Sequence, residues 1–338
     1  LVNGYVNEKL SRFNETEILA VSLSHAKEKH PDLAQKWFGR NSFEKEIFAN
    51  INTAYHQDGA FIYIPKNIAA KGTIHIISIV SGKNVIAQVK NILVAEQGSN
   101  SKVVFREISE DAEGCFSNSV TEVFTEENAF MELNKVQEME NGNFQIGTEQ
   151  IAMESNSNFK INTFTKTGEW VRNNLNFELN GENIETWLNG LYMLDGNQHV
   201  DNHTHVDHFK PNCVSHELYK GILNDKSTGV FNGKVFVHKD AQKTNAYQSN
   251  NTVVLTDDAK SFSKPELEIY ADDVKCSHGS TTGQLDEEAM FYLRSRGISE
   301  MKANGMMLHA FADDLIAHIG VPEVAEEIER YVFEEYGG

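Results

Sequence analysis

The sequence predicts a mainly β chain wound as a β-helix, a solenoid of stacked strands, with helices gathered at its C-terminal end. The first observation is a repeated unit between about Gln88 and Glu268: an apolar strand, a short polar turn, a second apolar strand. "ILVAEQGSNSKVVF", "EVFTEENAFMEL", "QIAMESNSNFKI" and "LNFELNGENIETW" are four copies of it. The second is spacing. With Val94, Val123, Ile151 and Phe177 taken as equivalent positions the gaps are 29, 28 and 26 residues, and Ile222 and Val254 restate the theme downstream. A period in this range without helical patterning points to coils that bury their inward residues against their neighbours. A β-sandwich also spaces its strands regularly, but its strands need not resemble one another as these units do. The third is turn chemistry: Asn, Ser, Gly and Glu supply left-handed conformations and local side-chain hydrogen bonds.

In chain order, residues 1–60 read as an opening segment, in which Asn14–Gly39 mixes strand-like and helical pieces. Residues 61–283 form the β-helix core and residues 284–338 a helical C-terminal domain. In that domain "LDEEAMFYLRSRG" has acids in its first turn, Arg294 and Arg296 in its last, and Gly297 as a left-handed stop. Ser299 caps "EMKANGMMLHAFADDLIAHI", expected to close at Gly320. Pro322 opens a third helix, whose acidic run Glu323–Glu335 reads as a solvated face. Met301, Met307, Leu308, Phe311, Leu315 and Ile319 roughly follow helical spacing. Packing between helices is the simpler use of that stripe. Partner docking is the other, since three helices cannot bury every apolar face among themselves.

The chain has 338 residues, 40% of them apolar, enough for one large domain or two ordinary ones. With 49 acidic against 30 basic residues the formal charge is −19, which argues against nucleic acid or an anionic membrane surface as partner. No apolar run approaches the ~18 residues of a membrane span, and no signal pattern opens the chain. Leu1 is not an initiator Met, so the natural start is expected upstream. Cys115, Cys213 and Cys276 are odd in number and scattered, which fits reduced thiols in a cytoplasmic compartment better than a disulfide framework.

Phosphate-binding loops are missing. "GVFNGKV" (Gly229–Val235) has three residues between its glycines where a Walker A motif has four, and Val where Ser or Thr should hold magnesium. No G-x-G-x-x-G or G-x-S-x-G motif stands in its place, so any ATP belongs to another subunit.

Two stretches carry candidate chemistry. In "HVDNHTHVDH" a strand would put His199, Asp201, His203, His205 and Asp207 on one face and His208 on the other. His203 and His205 could share a metal, as in metal-dependent hydrolases; a polar strand whose imidazoles hydrogen-bond to neighbouring coils is the plainer reading. In "DDVKCSHGS" Asp272, Val274, Cys276 and His278 would share a face. As a nucleophile Cys276 is badly placed, because Asp272 and Asp273 would raise its thiol pKa. As ligands, Cys276 and His278 point the same way. Iron–sulfur clusters usually take four protein ligands, and this face supplies at most three, so a cluster would be shared with another chain or held transiently.

"SKPELEIYADDVKCSHGSTTGQLDEEAMFYLRSRGI" (Ser263–Ile298) strongly resembles the C-terminal signature of the SufB/SufD family of iron–sulfur assembly proteins, and Asn212–Ser261 extends the match upstream. The "KCSHG...GQLDEEAMFYL" form looks like the SufD branch. The resemblance implies a right-handed parallel β-helix and a non-catalytic scaffold working with SufB and the ATPase SufC in the SUF complex. It implies that His278, and less directly Cys276, lie at an interface with SufB where a transient Fe–S cluster is built. The C-terminal helices, with Phe291, Tyr292, Arg294, Arg296 and Phe311, would dock SufC. An interface of that kind also permits a homodimer of the isolated chain. The family normally begins with a further helical region, of which residues 1–60 would be a remnant. The rivals are the hydrolase using His203 and His205, and a self-sufficient iron–sulfur or flavin protein, which the shortage of ligands opposes. The residues give no reading either way on FAD in an assembled complex.

Overall fold

The computed structural model describes residues 1–40 and 46–337. Among these, nine strands hydrogen-bond into one sheet and eight into a second. From Ala60–Ile64 onward, consecutive strands fall in alternate sheets, so each coil lays one strand in each before stepping to the next. Stacked strands run parallel, except that Leu19–Ser22 lies antiparallel to Ala60–Ile64. The result is the expected mainly β solenoid, of about eight turns, with C-terminal helices.

One corner explains the turn composition. Asn67, Gly98, Asn128, Asn156, Asn183, Asn212 and Lys243 occupy it in successive coils, all with φ between 57° and 69°. Each donates its backbone N–H to a carbonyl one coil further on, Asn67 to Gln97, Asn128 to Ser155 and Asn212 to Gln242 among them. Gly and Asn reach this left-handed region at the lowest cost, so the corner selects them coil after coil.

Register corrects three of the positions taken as equivalent. Val123, Ile151 and Phe177 do stack, but the residue aligned with Val123 in the preceding coil is Leu93, not Val94. Val94 faces outward with Ile92 and Phe124 into an apolar layer beneath α1 (Leu23–Lys29) and α2 (Pro31–Trp37), where the Trp37 ring lies 5.0 Å from that of Phe124. A strand apolar on both faces loses the alternation that fixes register in a sequence. Ile222 and Val254 lie in the second sheet, and on opposite faces of it, since Ile222 aligns with Val253. The short α3 (Ile47–Tyr55) completes the cover over the first sheet, its buried Asn52 donating to the carbonyls of Val89 and Asn118.

At the other end α4 (Glu287–Ser295) follows the last strand, capped by Asp286. Then α5 (Glu300–Ile316) and α6 (Pro322–Gly337) lie back along the outer face of the second sheet. Gly297 adopts φ 86° and Ser299 caps α5, as the sequence predicts. However, α5 stops at Ile316, short of Gly320. Gly320 is needed for close approach instead: its N–H donates to Glu132 at 2.6 Å, and a Cβ there would sit 2.1 Å from that carboxylate. Of the apolar stripe, Leu308, Leu315 and Ile319 are buried against Val104, Phe164, Leu191 and Ile222 of the sheet, while Met301 remains 58% exposed.

The acidic run on α6 is not solvated throughout. Glu327 takes ion pairs from Arg106 and Lys166 on two different coils. Burial alone would raise its carboxyl pKa, but hydrogen bonds from Arg106 and Lys166 outweigh that and hold it at about 2. A pKa depressed in the folded state stabilises the fold above the ordinary carboxylate range, and the contribution is lost as pH falls toward 2. Glu327→Gln is therefore expected to cost about 1–3 kcal/mol at pH 7, with the gap to the unsubstituted chain closing as the pH approaches 2. Urea unfolding across that pH range measures it; a pH-independent difference sinks the ion-pair account.

Candidate functional site

The solenoid ends on a coil made of Lys260–Ile269 in the first sheet and Lys275–Gly283 in the second. Each pairs on one side only, with Thr228–Val237 and Asn245–Val254 respectively, so both present an open edge of backbone donors and acceptors. Unpaired edges of this kind are templates for another strand.

Register sets which side chains stand at that end. Cys276 aligns with Ala246 and His278 with Gln248, both of which are buried in the solenoid interior. Cys276 and His278 therefore share the inward face, as strand alternation predicts. Asp272 is not among them: the strand begins at Lys275, and the preceding turn is tied to the previous coil through Lys243, whose ammonium pairs with Asp273 and whose N–H donates to the Asp273 carbonyl at 2.7 Å. His278 is exposed although it faces inward, because no further coil covers it. Beyond it the sheets close through hydroxyls, Ser280 Oγ lying 2.8 Å from Ser263 Oγ.

Cys276 is half-buried beside Leu267 and Val274. Burial pushes its thiol pKa up, against a smaller opposing effect of the Ala246 backbone. The direction is the one expected from the sequence, but the cause is desolvation and not Asp272 or Asp273. A thiol in that state is a poor free nucleophile, and it becomes a ligand when a metal displaces its proton. Behind His278, Gln248 donates to Glu217 at 2.7 Å, and burial raises that carboxyl to about 7. The sequence reading passed over Gln248, Glu217 and Ser263, because only the stacking of coils brings them beside the motif.

The histidine strand lies as predicted, with His208 inward and His199, Asp201, His203, His205 and Asp207 in line outward. His203 pairs with Asp201 at 2.9 Å, which also takes Arg172, while His205 pairs with Asp207 at 3.1 Å, which also approaches His238. The two imidazoles thus take separate carboxylates within a surface ladder. His208 is fully buried with Nε2 2.9 Å from Ser215 Oγ, and burial lowers its pKa to about 4.

On the helices, Phe291 and Tyr292 are 75% and 57% exposed, with the Arg296 guanidinium 5.1 Å from the Tyr292 ring centroid and Arg294 paired to Glu300 at 2.9 Å. These four belong to α4 and the turn after it. Phe311 is set apart on α5, half-buried under the Lys220 ammonium, 4.7 Å from its ring. All three cysteines are free thiols, and no described helix is long and apolar enough to cross a membrane.

Residues 78–311 match the family described as SUF system FeS cluster assembly, SufBD core domain. The chain belongs to the SufB/SufD family. Residues 1–76 also match the SufBD protein N-terminal region. An iron–sulfur cluster assembly SufBD family protein of Synechocystis is 30% identical over 98% of this chain and 76% of its own length. The iron–sulfur cluster assembly protein SufD of Escherichia coli is 44% identical over 45% of this chain, a match that spans 36% of that protein. SufD of Bacillus subtilis is 23% identical over 92% of this chain and 72% of its own length. The core match runs through the final coil and α4.

Proposed function

We propose that this SufB/SufD-family chain is a SufD-like scaffold subunit that pairs with SufB through its open final coil and docks the ATPase SufC on its C-terminal helices. His278 and Cys276 would contribute ligands to an iron–sulfur cluster under construction, with the remaining ligands supplied across the interface. The observation that carries the reading is a thiol and an imidazole side by side on the inward face of the final coil, whose two strands each pair on one side only. Two protein ligands cannot hold a cluster alone, which fits a site completed by a second chain. The exposed Phe291, Tyr292, Arg294 and Arg296 offer SufC an aromatic and basic surface on an otherwise acidic chain, and aromatic residues and Arg are enriched at such contacts. This chain has no nucleotide loop, and SufC would supply the hydrolysis.

The test is co-purification of the full chain with separately tagged SufB and SufC, followed by iron and sulfide analysis of the complex. His278→Ala is expected to leave the three-component complex intact and to lower its loading by about tenfold or more, since loss of even an outer-shell metal partner costs that much. Absence of a complex with the unsubstituted chain refutes the scaffold reading. A complex that loads normally with His278→Ala leaves the scaffold role standing and removes His278 from the cluster.

A further inference from the structure

The geometry points to a second metal site, unrelated to the final coil: we infer that Glu15, His25 and His30 bind one divalent transition-metal ion, with zinc the best fit. These are the residues among those described whose ligand atoms converge, all within 4.8 Å of one another. Three separate backbone features bring them there. His25 stands in the first turn of α1, where its N–H is capped by Ser22. His30 is the junction between α1 and α2, with φ −131° and ψ 52°, so its side chain leaves the helical path. Glu15 comes from the segment before the first strand, folded back by paired backbone hydrogen bonds between Asn14 and Ala20 and by an Asn14 side-chain turn onto Thr16.

The second observation concerns the imidazoles. Nε2 of His25 and Nε2 of His30 are both shut off from solvent, and neither has a hydrogen-bond partner. Their nearest carboxylate oxygens lie on one residue: Glu15 Oε1 is 3.4 Å from His25 and Oε2 is 3.5 Å from His30. Those separations are too long for good N–H···O hydrogen bonds. All three ligand atoms lie within 4.8 Å of one another, so a small turn of the Glu15 carboxylate and the two rings would close them onto the edges of a tetrahedron around zinc, about 3.3–3.4 Å long for bonds of about 2.0–2.1 Å. Two buried, unpartnered nitrogens at one spot are costly in a protein without a cation, and a cation would satisfy both. The rings are tilted 40° to each other with centroids 6.3 Å apart, converging on a point instead of stacking.

Two imidazoles and one carboxylate form a borderline ligand set that suits zinc, and the harder magnesium and calcium prefer all-oxygen shells. Three protein ligands leave a fourth position for water or an exogenous ligand. The side chains of His25 and His30 are 27% and 37% exposed, which gives an ion a path in, and the net charge of −19 favours its approach. The site lies over the first coils, whereas Cys276 and His278 stand on the last. At ~4.8 Å per stacked strand the two are roughly 30 Å apart, too far to share an ion.

The experiment uses the full chain, free of any histidine tag and stripped by chelator, titrated with Zn²⁺ by calorimetry and with Co²⁺ by visible absorption. One equivalent is expected, with tetrahedral cobalt bands and no thiolate charge-transfer band. His25→Ala/His30→Ala should abolish it, Glu15→Gln should weaken it by about tenfold or more, and Cys276→Ser/His278→Ala should leave it unchanged. Glu15→Gln changes no residue of either helix and keeps the side chain's size, so it decides the matter even where the double histidine variant folds poorly on circular dichroism. Zinc binding equal to that of the unsubstituted chain in Glu15→Gln and in the histidine variant overturns the proposal. So does an equivalent lost only with Cys276 and His278, which would place the ion on the final coil.

Discussion

Lys135→Met is expected to destabilise the protein by about 3–5 kcal/mol, the usual cost of removing one partner from a buried ion pair. Lys135 is fully buried inside the solenoid, with its ammonium 2.6 Å from Glu149 and 3.3 Å from Glu107. Gly147 leaves the room for it, since a Cβ there would lie 2.2 Å from Nζ. Desolvation works against the charge on Lys135, yet the two carboxylates prevail and its pKa is raised. Without the lysine, Glu107 and Glu149 are left in a dry interior with Ser119 Oγ, 2.6 Å from Glu107, as a neutral companion. Burial already raises the Glu149 carboxyl against the pull of Lys135, and without the lysine it would favour its protonated form in the folded state, so the deficit should shrink as pH falls from 7 toward 5. Urea unfolding at the two pH values reads this directly. Adding Glu149→Gln should restore part of the loss; a Lys135→Met variant as stable as the original removes the ion triad from the account of the core.

Gly190→Ala is expected to be nearly as damaging, at about 3 kcal/mol, for a purely steric reason. Gly190 aligns with Tyr219 on the next strand, and its added Cβ would meet that ring at 2.2, 2.5 and 2.8 Å. Two residues along the same pair of strands the arrangement is reversed, with Gly221 aligned to Tyr192 and a Cβ there 2.5 Å from its ring. Each ring lies flat over the other strand's glycine, and both tyrosines are buried. Tyr219 is fully buried with its ring 5.0 Å from that of Phe231, so a shift of the ring or of the strands disturbs the core. Thermal unfolding should show the loss in Gly190→Ala and its partial recovery in Gly190→Ala/Tyr219→Leu, where the ring is removed. Equal instability in the single and double variants means that the clash is not the cause.

The solenoid was legible because its corners repeat: a left-handed Asn or Gly in nearly every coil leaves a trace that any reader of the chain meets about every 29 residues. Register was not, because Val94 and Phe124 are apolar for the sake of Trp37 outside while Leu93 and Val123 are apolar for the interior. The pairing of Cys276 with His278 could be read from strand alternation alone. Their setting on an uncovered coil could not, because nothing local marks a strand as the last. Lys135, Glu107 and Glu149 come from three strands, and Glu15, His25 and His30 from a loop, a helix and the junction between two helices. Neither group leaves a linear motif, since only the folded chain makes them neighbours.

A stack of coils that touch only their nearest neighbours behaves like a row of dominoes, with each coil free to peel from an end. Here α5 and α6 lie across that row. Val253 near the open end and Val104 near the start both pack into their apolar layer, and Glu327 alone holds Arg106 and Lys166 from different coils. The helices act as a splint. Peeling the coil that carries Val253 strips sheet from the layer under α5 and α6 and so loosens contacts several coils away, which turns a ladder of independent openings into one cooperative event. The open final coil, which the proposed function sets against another chain, is thereby stacked on a support that does not fray by itself.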